Sequence, residues 1–395
     1  MIAYSDDRIS IITQEPRFQA ESASFAFTQA AARNAQRFHR SLPGYRETPL
    51  VSLSCAAQHY GVDSILVKDE SRRFGLKSFK GLGGSYSMFR IMCERLSLDP
   101  MKADYTTFLD ERIRQECGRI EFATATDGNH GKGVSWAARL FGCRAHVYMP
   151  KGSVEARRRA IEDAGSASAE ILDRNYDGAV EYAAGLAEEN GWILIQDTAW
   201  EGYEKIPAWI VEGYLTMVSE MESQLQEKVP THVFLQAGVG AMAGGVENCL
   251  ISLFSGKKPS IAIAEPTEAA CIYQSVLQGD GEMHSIGGNP VTIMAGLNCG
   301  TPCRVVWPYL RDYTSCFCAC EDSVTEAGMR AYASPFGTDQ KIISGESGAV
   351  TWGLLLSVLQ SDALRRLFGI RPDSVILLIN TEGDTDPEGY RRIVT

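Results

Sequence analysis

The chain lacks the long apolar segment of a membrane-spanning protein. No uninterrupted apolar run in its 395 residues approaches the ~18 residues that are needed to cross a bilayer. The first residues also lack the apolar core of a signal peptide, because Asp6 and Asp7 stand near the start. We therefore expect a soluble protein of the cytoplasm.

Positive charge is also scarce. The chain has 38 Lys and Arg against 49 Asp and Glu, a formal net charge of −11 and a pI near 5.2. The summed field of such a chain repels phosphate backbones and anionic lipid surfaces. We therefore expect a small-molecule substrate, no nucleic-acid partner and no membrane partner.

The eleven cysteines lack the spacing of a metal site or of a secreted disulfide framework. Their odd number and scattered positions are typical of reduced cytosolic thiols. Cys316, Cys318 and Cys320 alternate along one predicted strand. Cys299 and Cys303 form a second group, but no Cys-x-x-Cys or His pair stands beside either set. We expect buried thiols and no metal, with a metal site as the alternative.

The length and the 45% apolar content suffice for two domains. Short apolar runs alternate with helical periods, which is typical of doubly wound parallel sheets. The predicted strands are 122–126, 145–149, 169–172, 192–196, 232–235, 260–264 and 375–379. The predicted helices are 130–140, 154–164 with Ser153 as its cap, 178–190 ended by Gly191, and 348–359. We therefore predict an α/β fold in which a small domain, 85–199, is inserted into a larger one made of 1–84 and 200–395.

Small and polar residues directly follow several of these strands. They are Asp127, Asn129, Asp197, Gly238 and Thr381. In open parallel sheets, ligands bind beyond the carboxyl ends of the strands. We expect these residues to contribute to a ligand site.

Four glycine-rich segments carry the strongest chemical signal. They are 78–84 (SFKGLGG), 126–131 (TDGNHG), 236–245 (QAGVGAMAGG) and 344–349 (SGESGA). A glycine-rich turn can hold a phosphate on backbone N–H groups, and a buried lysine can form a Schiff base with an aldehyde. An asparagine in a strand-to-helix turn can contact a ring hydroxyl. Together, the segments predict a site for pyridoxal phosphate.

Lys80 is the predicted Schiff-base lysine. Most lysines lie at the surface, and Lys77 is a nearby alternative. Gly81, Gly83 and Gly84 follow Lys80 closely, which suggests that a flat, bulky group packs against the backbone.

The loop after the strand at 232–235 also fits another cofactor class. Gly238, Gly240 and Ala243 follow a strand and open a helix, and Glu265 ends the next strand. This pattern is found in dinucleotide-binding sites. It leaves the lysine and Asn-His segments unexplained, so an oxidoreductase that binds a nicotinamide or flavin cofactor is the alternative.

Three candidate residues also have ordinary structural interpretations. Asp127 and Asp197 are placed where solvated loop residues or helix caps often stand, and His130 is interpreted as a packing or capping residue. The other histidines show no ligand spacing.

The glycine-rich segments resemble the tryptophan-synthase-β-like, fold-type II family of pyridoxal phosphate enzymes. Five further segments are similar to the diaminopropionate ammonia-lyases within it. They are 67–71 (VKDES), 74–76 (FGL), 196–203 (QDTAWEGY), 292–297 (TIMAGL) and 380–386 (NTEGDTD). The resemblance implies a homodimeric lyase with the cofactor in the cleft between two α/β domains. It also implies α,β-elimination of D- and L-2,3-diaminopropionate to pyruvate and two molecules of ammonia.

The resemblance implies roles for the site residues. Lys80 holds the cofactor and serves as the base for the L isomer, whereas Asp127 serves the D isomer. Asn129 meets the ring oxygen, and Thr381 faces the pyridine nitrogen. The residues that hold the phosphate are Gly238, Val239, Gly240, Ala241 and Met242.

The substrate groups have predicted partners as well. We expect the backbone of Thr126, Asp127, Gly128 and Asn129 at a helix N-terminus to bind the substrate carboxylate. We expect Asp197 to orient the β-ammonium or to handle its proton. Two acids near the β-position favour a cationic leaving group. A serine or threonine dehydratase on the same scaffold and a cofactor-binding regulatory module are the alternatives.

Overall fold

The computed structural model describes residues 2–17, 27–126, 128–288 and 290–395, which form twelve strands and sixteen α-helices. The strands are β1 Ile2–Ser5, β2 Ile9–Thr13, β3 Leu50–Ser52, β4 Ser64–Asp69, β5 Glu121–Ala125, β6 Arg144–Met149, β7 Ser168–Ile171, β8 Ile193–Leu194, β9 His232–Gln236, β10 Ser260–Pro266, β11 Cys316–Cys320 and β12 Val375–Asn380. The helices are α1 Gln29–Ser41, α2 Ser54–Tyr60, α3 Lys80–Arg95, α4 Glu111–Cys117, α5 Asn129–Phe141, α6 Glu155–Ala164, α7 Tyr176–Asn190, α8 Lys205–Tyr214, α9 Thr216–Gln224, α10 Ala241–Leu253, α11 Cys271–Gln278, α12 Trp307–Tyr313, α13 Asp322–Ala333, α14 Glu346–Gln360, α15 Asp362–Phe368 and α16 Pro387–Val394.

The contacts divide the chain into two compact units. Unit 1 comprises 1–29, 47–72 and 217–395, and unit 2 comprises 30–46 and 73–216. These bounds differ from the predicted small domain of 85–199, because α3 packs against α5 and α8 within unit 2. In addition, the ring of Phe38 in α1 stacks on that of Phe89 in α3, with 4.2 Å between the centroids. Contacts between helices that are distant in the sequence produce no local sequence pattern, so these unit boundaries could not be predicted.

Unit 1 is built on an eight-stranded sheet in the order β1-β2-β11-β10-β9-β12-β4-β3. The five strands from β11 to β4 run parallel, whereas β1, β2 and β3 form antiparallel pairs at the two edges. The five parallel strands are buried at nearly every position. Such continuous burial is expected where helices cover both faces of a sheet.

Unit 2 contains a four-stranded parallel sheet in the order β7-β6-β5-β8. Alternate residues of a strand point to opposite faces. Val147 of β6 accordingly packs with Ile161 of α6, whereas Tyr148 packs with Ala179 and Ala183 of α7. Helices thus cover both faces of this sheet, and the predicted α/β fold class of parallel, doubly wound sheets is confirmed.

One of the two predicted helix ends, that of α7, is confirmed, and the predicted cap of α6 is wrong. Gly191 ends α7 in the left-handed conformation at φ +69°, as predicted. Ser153 does not cap α6, because Val154 occupies the N-cap position and the helix starts at Glu155. The serine stands one residue too early for its hydroxyl to reach the free N–H groups of the first turn.

The cysteines of β11 lie in the apolar core of unit 1. Cys316, Cys318 and Cys320 are buried there, as predicted, whereas Cys299 is half-buried. Within the described ranges, no group of three or more His, Cys, Asp or Glu side chains is placed to hold a metal ion. Nor do those ranges contain a helix that is long and apolar enough to span a bilayer.

Helices α3 and α5 approach each other through glycine. A Cβ atom at Gly133 of α5 would lie 2.9 Å from the nitrogen of Gly81 and 3.0 Å from the carbonyl carbon of Lys80. At Gly83, a Cβ atom would lie 2.5 Å from the ring of Tyr214 in α8. The small residues after Lys80 therefore accommodate neighbouring helices. This corrects the sequence interpretation, in which they faced a flat ligand.

Gly133→Ala is expected to lower the free energy of unfolding by about 1–3 kcal/mol, as overpacking does in cores. The clash is with backbone atoms, which cannot rotate away as a side chain can. Urea denaturation followed by circular dichroism measures the effect. The control is Gly185→Ala in α7, where a Cβ atom meets nothing within 4 Å. There, the loss of glycine is expected to raise stability by about 0.5–1 kcal/mol, and equal effects at both positions would contradict the packing argument.

Candidate active site

The predicted site residues fall into two groups. Unit 2 contains Lys80, Thr126, Gly128, Asn129 and Asp197. Unit 1 contains Gly238, Val239, Gly240, Ala241, Met242 and Thr381. Asp127 lies outside the described residues.

Lys80 and Asp197 form an ion pair in unit 2. Lys80 is the first residue of α3, and Asp197 lies in the segment that follows β8. Their side chains are only 18% and 8% exposed. Burial alone would raise the pKa of Asp197, but His130 when it is protonated, the charge of Lys80 and the hydrogen bond from Lys80 outweigh it and lower the pKa to about 2. The structure thus brings two of the predicted catalytic residues together, with the carboxylate ionised at neutral pH.

Aromatic rings flank the Lys80 amine. Its Nζ atom lies 5.4 Å from the ring centroid of Phe79 and 5.8 Å from that of Tyr214. The faces of such rings attract a cation. Lys77, the alternative lysine, stands in the preceding turn with a left-handed backbone at φ +59°. The ion pair with Asp197 and the flanking rings favour Lys80 as the reactive lysine.

His130 is a neighbour of this pair that the sequence analysis treated as a packing residue. It lies in the first turn of α5 and is 3% exposed. Its Nε2 atom lies 3.0 Å from the carbonyl oxygen of Ile195, and its Nδ1 atom lies 3.8 Å from Oδ2 of Asp197. Burial lowers the pKa of His130, so the imidazole is neutral at pH 7. The only sequence signal was its position after Asn129 at the end of a strand.

The turn from β5 to α5 is held by Thr126. Its Oγ1 atom accepts the N–H groups of Gly128 at 2.9 Å and of Gly131 at 3.1 Å. The Gly128 N–H is therefore engaged within the turn, whereas the Thr126 hydroxyl keeps its own proton to donate. Asn129 is the half-buried first residue of α5, at the positive end of the helix dipole.

The segment Gly238–Met242 in unit 1 comprises the end of the loop after β9 and the first two residues of α10. Gly240 has φ +86° and stands at the N-cap of α10, a conformation that favours glycine. A Cβ atom at Gly238 would lie 3.0 Å from the Cα atom of Leu297. The first N–H groups of a helix have no partner within it and lie at its positive end, which is an arrangement that binds phosphate.

Thr381 follows β12 and is 3% exposed. Its Oγ1 atom accepts a hydrogen bond from Nε2 of Gln236 at 2.9 Å. The same amide donates to the carbonyl oxygen of Ile379 at 3.0 Å, which fixes its orientation. Because Oγ1 already accepts, the hydroxyl proton of Thr381 is left to donate to a ligand. Gln236 lies in the glycine-rich segment 236–245. Its role could not be predicted, because its partner Thr381 is distant in the sequence.

The fourth glycine-rich segment packs the start of α14 against the chain that follows β12. The Ser347 N–H donates to Oε1 of Glu382 at 2.9 Å. A Cβ atom at Gly348 would lie 2.5 Å from Oδ1 of Asn380, and one at Gly345 would lie 2.6 Å from a carbonyl oxygen. This segment therefore supports the backbone on both sides of Thr381.

Glu265 does not face a ligand. It lies in β10, is fully buried, and accepts the N–H groups of Ile272 at 2.8 Å and Tyr273 at 2.7 Å in the first turn of α11. Burial raises its pKa to about 8. Since the carboxyl group caps a helix, it is unavailable for a ribose, which removes the main support for the dinucleotide alternative.

Comparisons with known proteins agree on one family. Residues 41–382 match the family of pyridoxal-phosphate dependent enzymes. The chain is 45% identical over 392 residues to a diaminopropionate ammonia-lyase of Escherichia coli K12, covering 98% of this chain and 96% of the relative. It is 46% identical over 365 residues to that of Salmonella typhimurium, covering 90% of each. A crystal structure of the Escherichia coli enzyme with an aminoacrylate-PLP azomethine reaction intermediate is similar at 43% identity and a TM-score of 0.89, covering 98% of this chain and 97% of that one.

Proposed function

Because this chain belongs to the diaminopropionate ammonia-lyases of the pyridoxal-phosphate dependent enzyme family, we propose that it removes both amino groups from 2,3-diaminopropionate. Each turnover adds one molecule of water to the substrate and yields pyruvate and two molecules of ammonia. The family and cofactor expected from the sequence are confirmed. We extend the proposal to both the D and the L isomers.

The described residues fit pyridoxal phosphate. The cofactor needs an amine for its aldehyde, N–H groups for its phosphate and a partner for its ring nitrogen. Lys80 offers a shielded amine, the segment Gly238–Met242 offers the N–H groups of a helix start, and Thr381 offers a hydroxyl proton. Asn129 would contact the ring oxygen. When bound, the cofactor supplies an electron sink for the pair that the α-carbon retains after it loses its proton.

The ion pair of Lys80 and Asp197 is the observation that carries the proposal. A buried carboxylate that stays ionised can hold a second ammonium group near the reacting lysine. The β-substituent of diaminopropionate is such a group, whereas the β-hydroxyl of serine is neutral. The pair therefore favours ammonia over water as the leaving group.

Each remaining residue has a defined task in this scheme. Lys80 would accept the α-proton of the L isomer, and Asp127 would accept that of the D isomer. Asp197 orients the β-ammonium and keeps it protonated until it leaves. The Thr126 hydroxyl and the positive end of α5 bind the substrate carboxylate, next to Asp127, Gly128 and Asn129. The hydroxyl of Thr381 would donate to the ring nitrogen and so leave that atom largely unprotonated.

A substrate panel tests the proposal. Diaminopropionate is expected to exceed serine and threonine in kcat/KM, since a desolvated ion pair contributes about 1–3 kcal/mol, or roughly tenfold to a hundredfold. Turnover is measured by assays for the keto acid product and for ammonia. The substrates are both diaminopropionate isomers, both serines and threonine. Two ammonia per keto acid is the expected ratio for diaminopropionate. If L-serine equals diaminopropionate in kcat/KM, the dehydratase alternative is correct instead.

The assembly and the location of the protein remain predictions. We propose a homodimer that acts on a small amino-acid substrate in the cytoplasm, as the sequence and the resemblance suggest. The predicted small domain of 85–199, inserted into a larger domain of 1–84 and 200–395, likewise remains a proposal.

A further inference from the structure

The hydrogen bonding of His130 identifies its tautomer. Its Nε2 atom lies 3.0 Å from the carbonyl oxygen of Ile195, which has no proton to give. Nε2 must therefore carry the hydrogen, and Nδ1 of the neutral ring is a bare acceptor. Among the described residues, this buried Nδ1 atom has no hydrogen-bond partner.

The bare nitrogen is directed at the ion pair. It lies 3.8 Å from Oδ2 of Asp197, the same oxygen that binds the Lys80 amine. Two acceptors at this distance repel each other, and the contact becomes attractive once a proton lies between them. Nδ1 is thus a proton acceptor next to the carboxylate oxygen that binds Lys80.

Lys80 needs such an acceptor, because only a neutral amine reacts with an aldehyde. The structure shows its amine bound to a carboxylate, which stabilises the charged ammonium form. The ion pair that suits the reaction of the β-ammonium therefore opposes the first step, the binding of the cofactor by Lys80.

We propose that His130 is a positioning residue for Lys80 that acts through Asp197, by holding the proton that Lys80 gives up. The N–H bond of the Lys80 ammonium breaks as an O–H bond forms on Asp197, and that bond breaks as an N–H bond forms on His130 Nδ1. Charge is conserved, since an ammonium, a carboxylate and a neutral ring become an amine, a carboxylate and an imidazolium. The inference rests on the proposed use of pyridoxal phosphate.

The charges around His130 link the loss of a proton by Lys80 to the uptake of a proton by His130. Among the described residues, the charged groups that act on it are Asp197, which favours its protonation, and Lys80, which opposes it. When Lys80 loses its proton, the opposing charge disappears and the attraction of Asp197 remains. Loss of the proton by the lysine therefore promotes its uptake by the histidine.

The test is the pH dependence of covalent cofactor binding. Cofactor-free full-length protein is mixed with pyridoxal phosphate, and the visible absorption of the lysine-bound cofactor is followed with time. In His130→Gln, the amide can still donate to the Ile195 carbonyl, but the basic nitrogen is absent. We expect the rate constant at pH 7 to fall ~10²-fold, the magnitude of a lost proton acceptor. We also expect it to approach the wild-type value at high pH, where Lys80 is neutral without help.

The matched control is His284→Gln. His284 lies in unit 1, is 39% exposed and pairs with Asp280 at 2.9 Å, and its loss is expected to leave the pH profile unchanged. A profile of His130→Gln that is unchanged, or lowered equally at every pH, overturns the proposal, because a structural role alone would give that result.

A second measurement needs no variant. In wild-type protein labelled with ¹⁵N-histidine, the NMR shift of His130 Nδ1 is expected to be that of an unprotonated nitrogen at pH 7 and to move towards the protonated value when the cofactor binds. A hydrogen on Nδ1 in the cofactor-free protein overturns the proposal. This test is independent of the test of the proposed activity, because it measures cofactor binding by Lys80 without diaminopropionate.

Discussion

Replacement of Lys80 by alanine is expected to abolish covalent cofactor binding and to lower kcat/KM for L-diaminopropionate by ~10²–10⁴-fold, the usual cost of losing a general base. Lys80 carries both functions in the proposed scheme, and its amine is the one that the structure places against Asp197. The wild-type protein should be yellow and lose its colour with hydroxylamine. Lys80→Ala should be colourless after exchange into buffer without pyridoxal phosphate.

Lys77 provides the matched control for this experiment. Lys77→Asn is expected to retain colour and activity, because asparagine tolerates the left-handed backbone found at this position. Reduction of the wild-type protein with borohydride, followed by peptide mapping, should place the pyridoxyl group on Lys80. A label on Lys77 would refute the assignment, and a failure to bind stoichiometric cofactor after reconstitution would refute the proposed function as a whole.

Asp127→Asn is expected to lower kcat/KM for D-diaminopropionate by ~10²–10⁴-fold while turnover of the L isomer falls much less. The α-proton leaves perpendicular to the ring plane of the cofactor, so each isomer requires a base on its own face. Asparagine keeps the shape and hydrogen bonding of the aspartate but accepts no proton. Steady-state kinetics with each pure isomer measure the two losses.

Asp197→Asn distinguishes a shared role from an isomer-specific one. Orientation and expulsion of the β-ammonium are common to both isomers, so we expect both to be impaired to a similar degree. Equal losses for the two isomers in Asp127→Asn would mean that this residue only shapes the carboxylate pocket. The scheme with two bases would then have to be abandoned.

The general fold was predictable because it follows from local patterns. Continuous apolar runs between helical periods indicated parallel strands, and the observed β6, β9 and β12 contain the predicted 145–149, 232–235 and 375–379. The residues after strands stay a prediction for the ligand site, which rests on the ends of parallel strands lying at one edge of each sheet. The pairing of Lys80 with Asp197 could not be predicted, because the two are far apart in the chain and either residue alone fits a surface position.

The errors arose where a short motif has more than one physical cause. The glycines after Lys80 were attributed to a ligand, but the packing of α5 and α8 requires them. Glu265 fitted a ribose-binding position, yet its carboxyl group caps α11. In each case, the answer depended on a side chain or a backbone atom that is remote in sequence.

The backbone contact between α3 and α5 affects which substitutions the enzyme can tolerate. Gly81 and Gly133 touch no substrate group in the proposed scheme, yet they set the distance between the helix that begins with Lys80 and the helix that begins with Asn129. Laboratory evolution towards new amino acids should therefore leave both glycines invariant, however strong the selection. Libraries directed at the turns after β5 and β8 can vary the residues around the substrate without changing the spacing of these two helices.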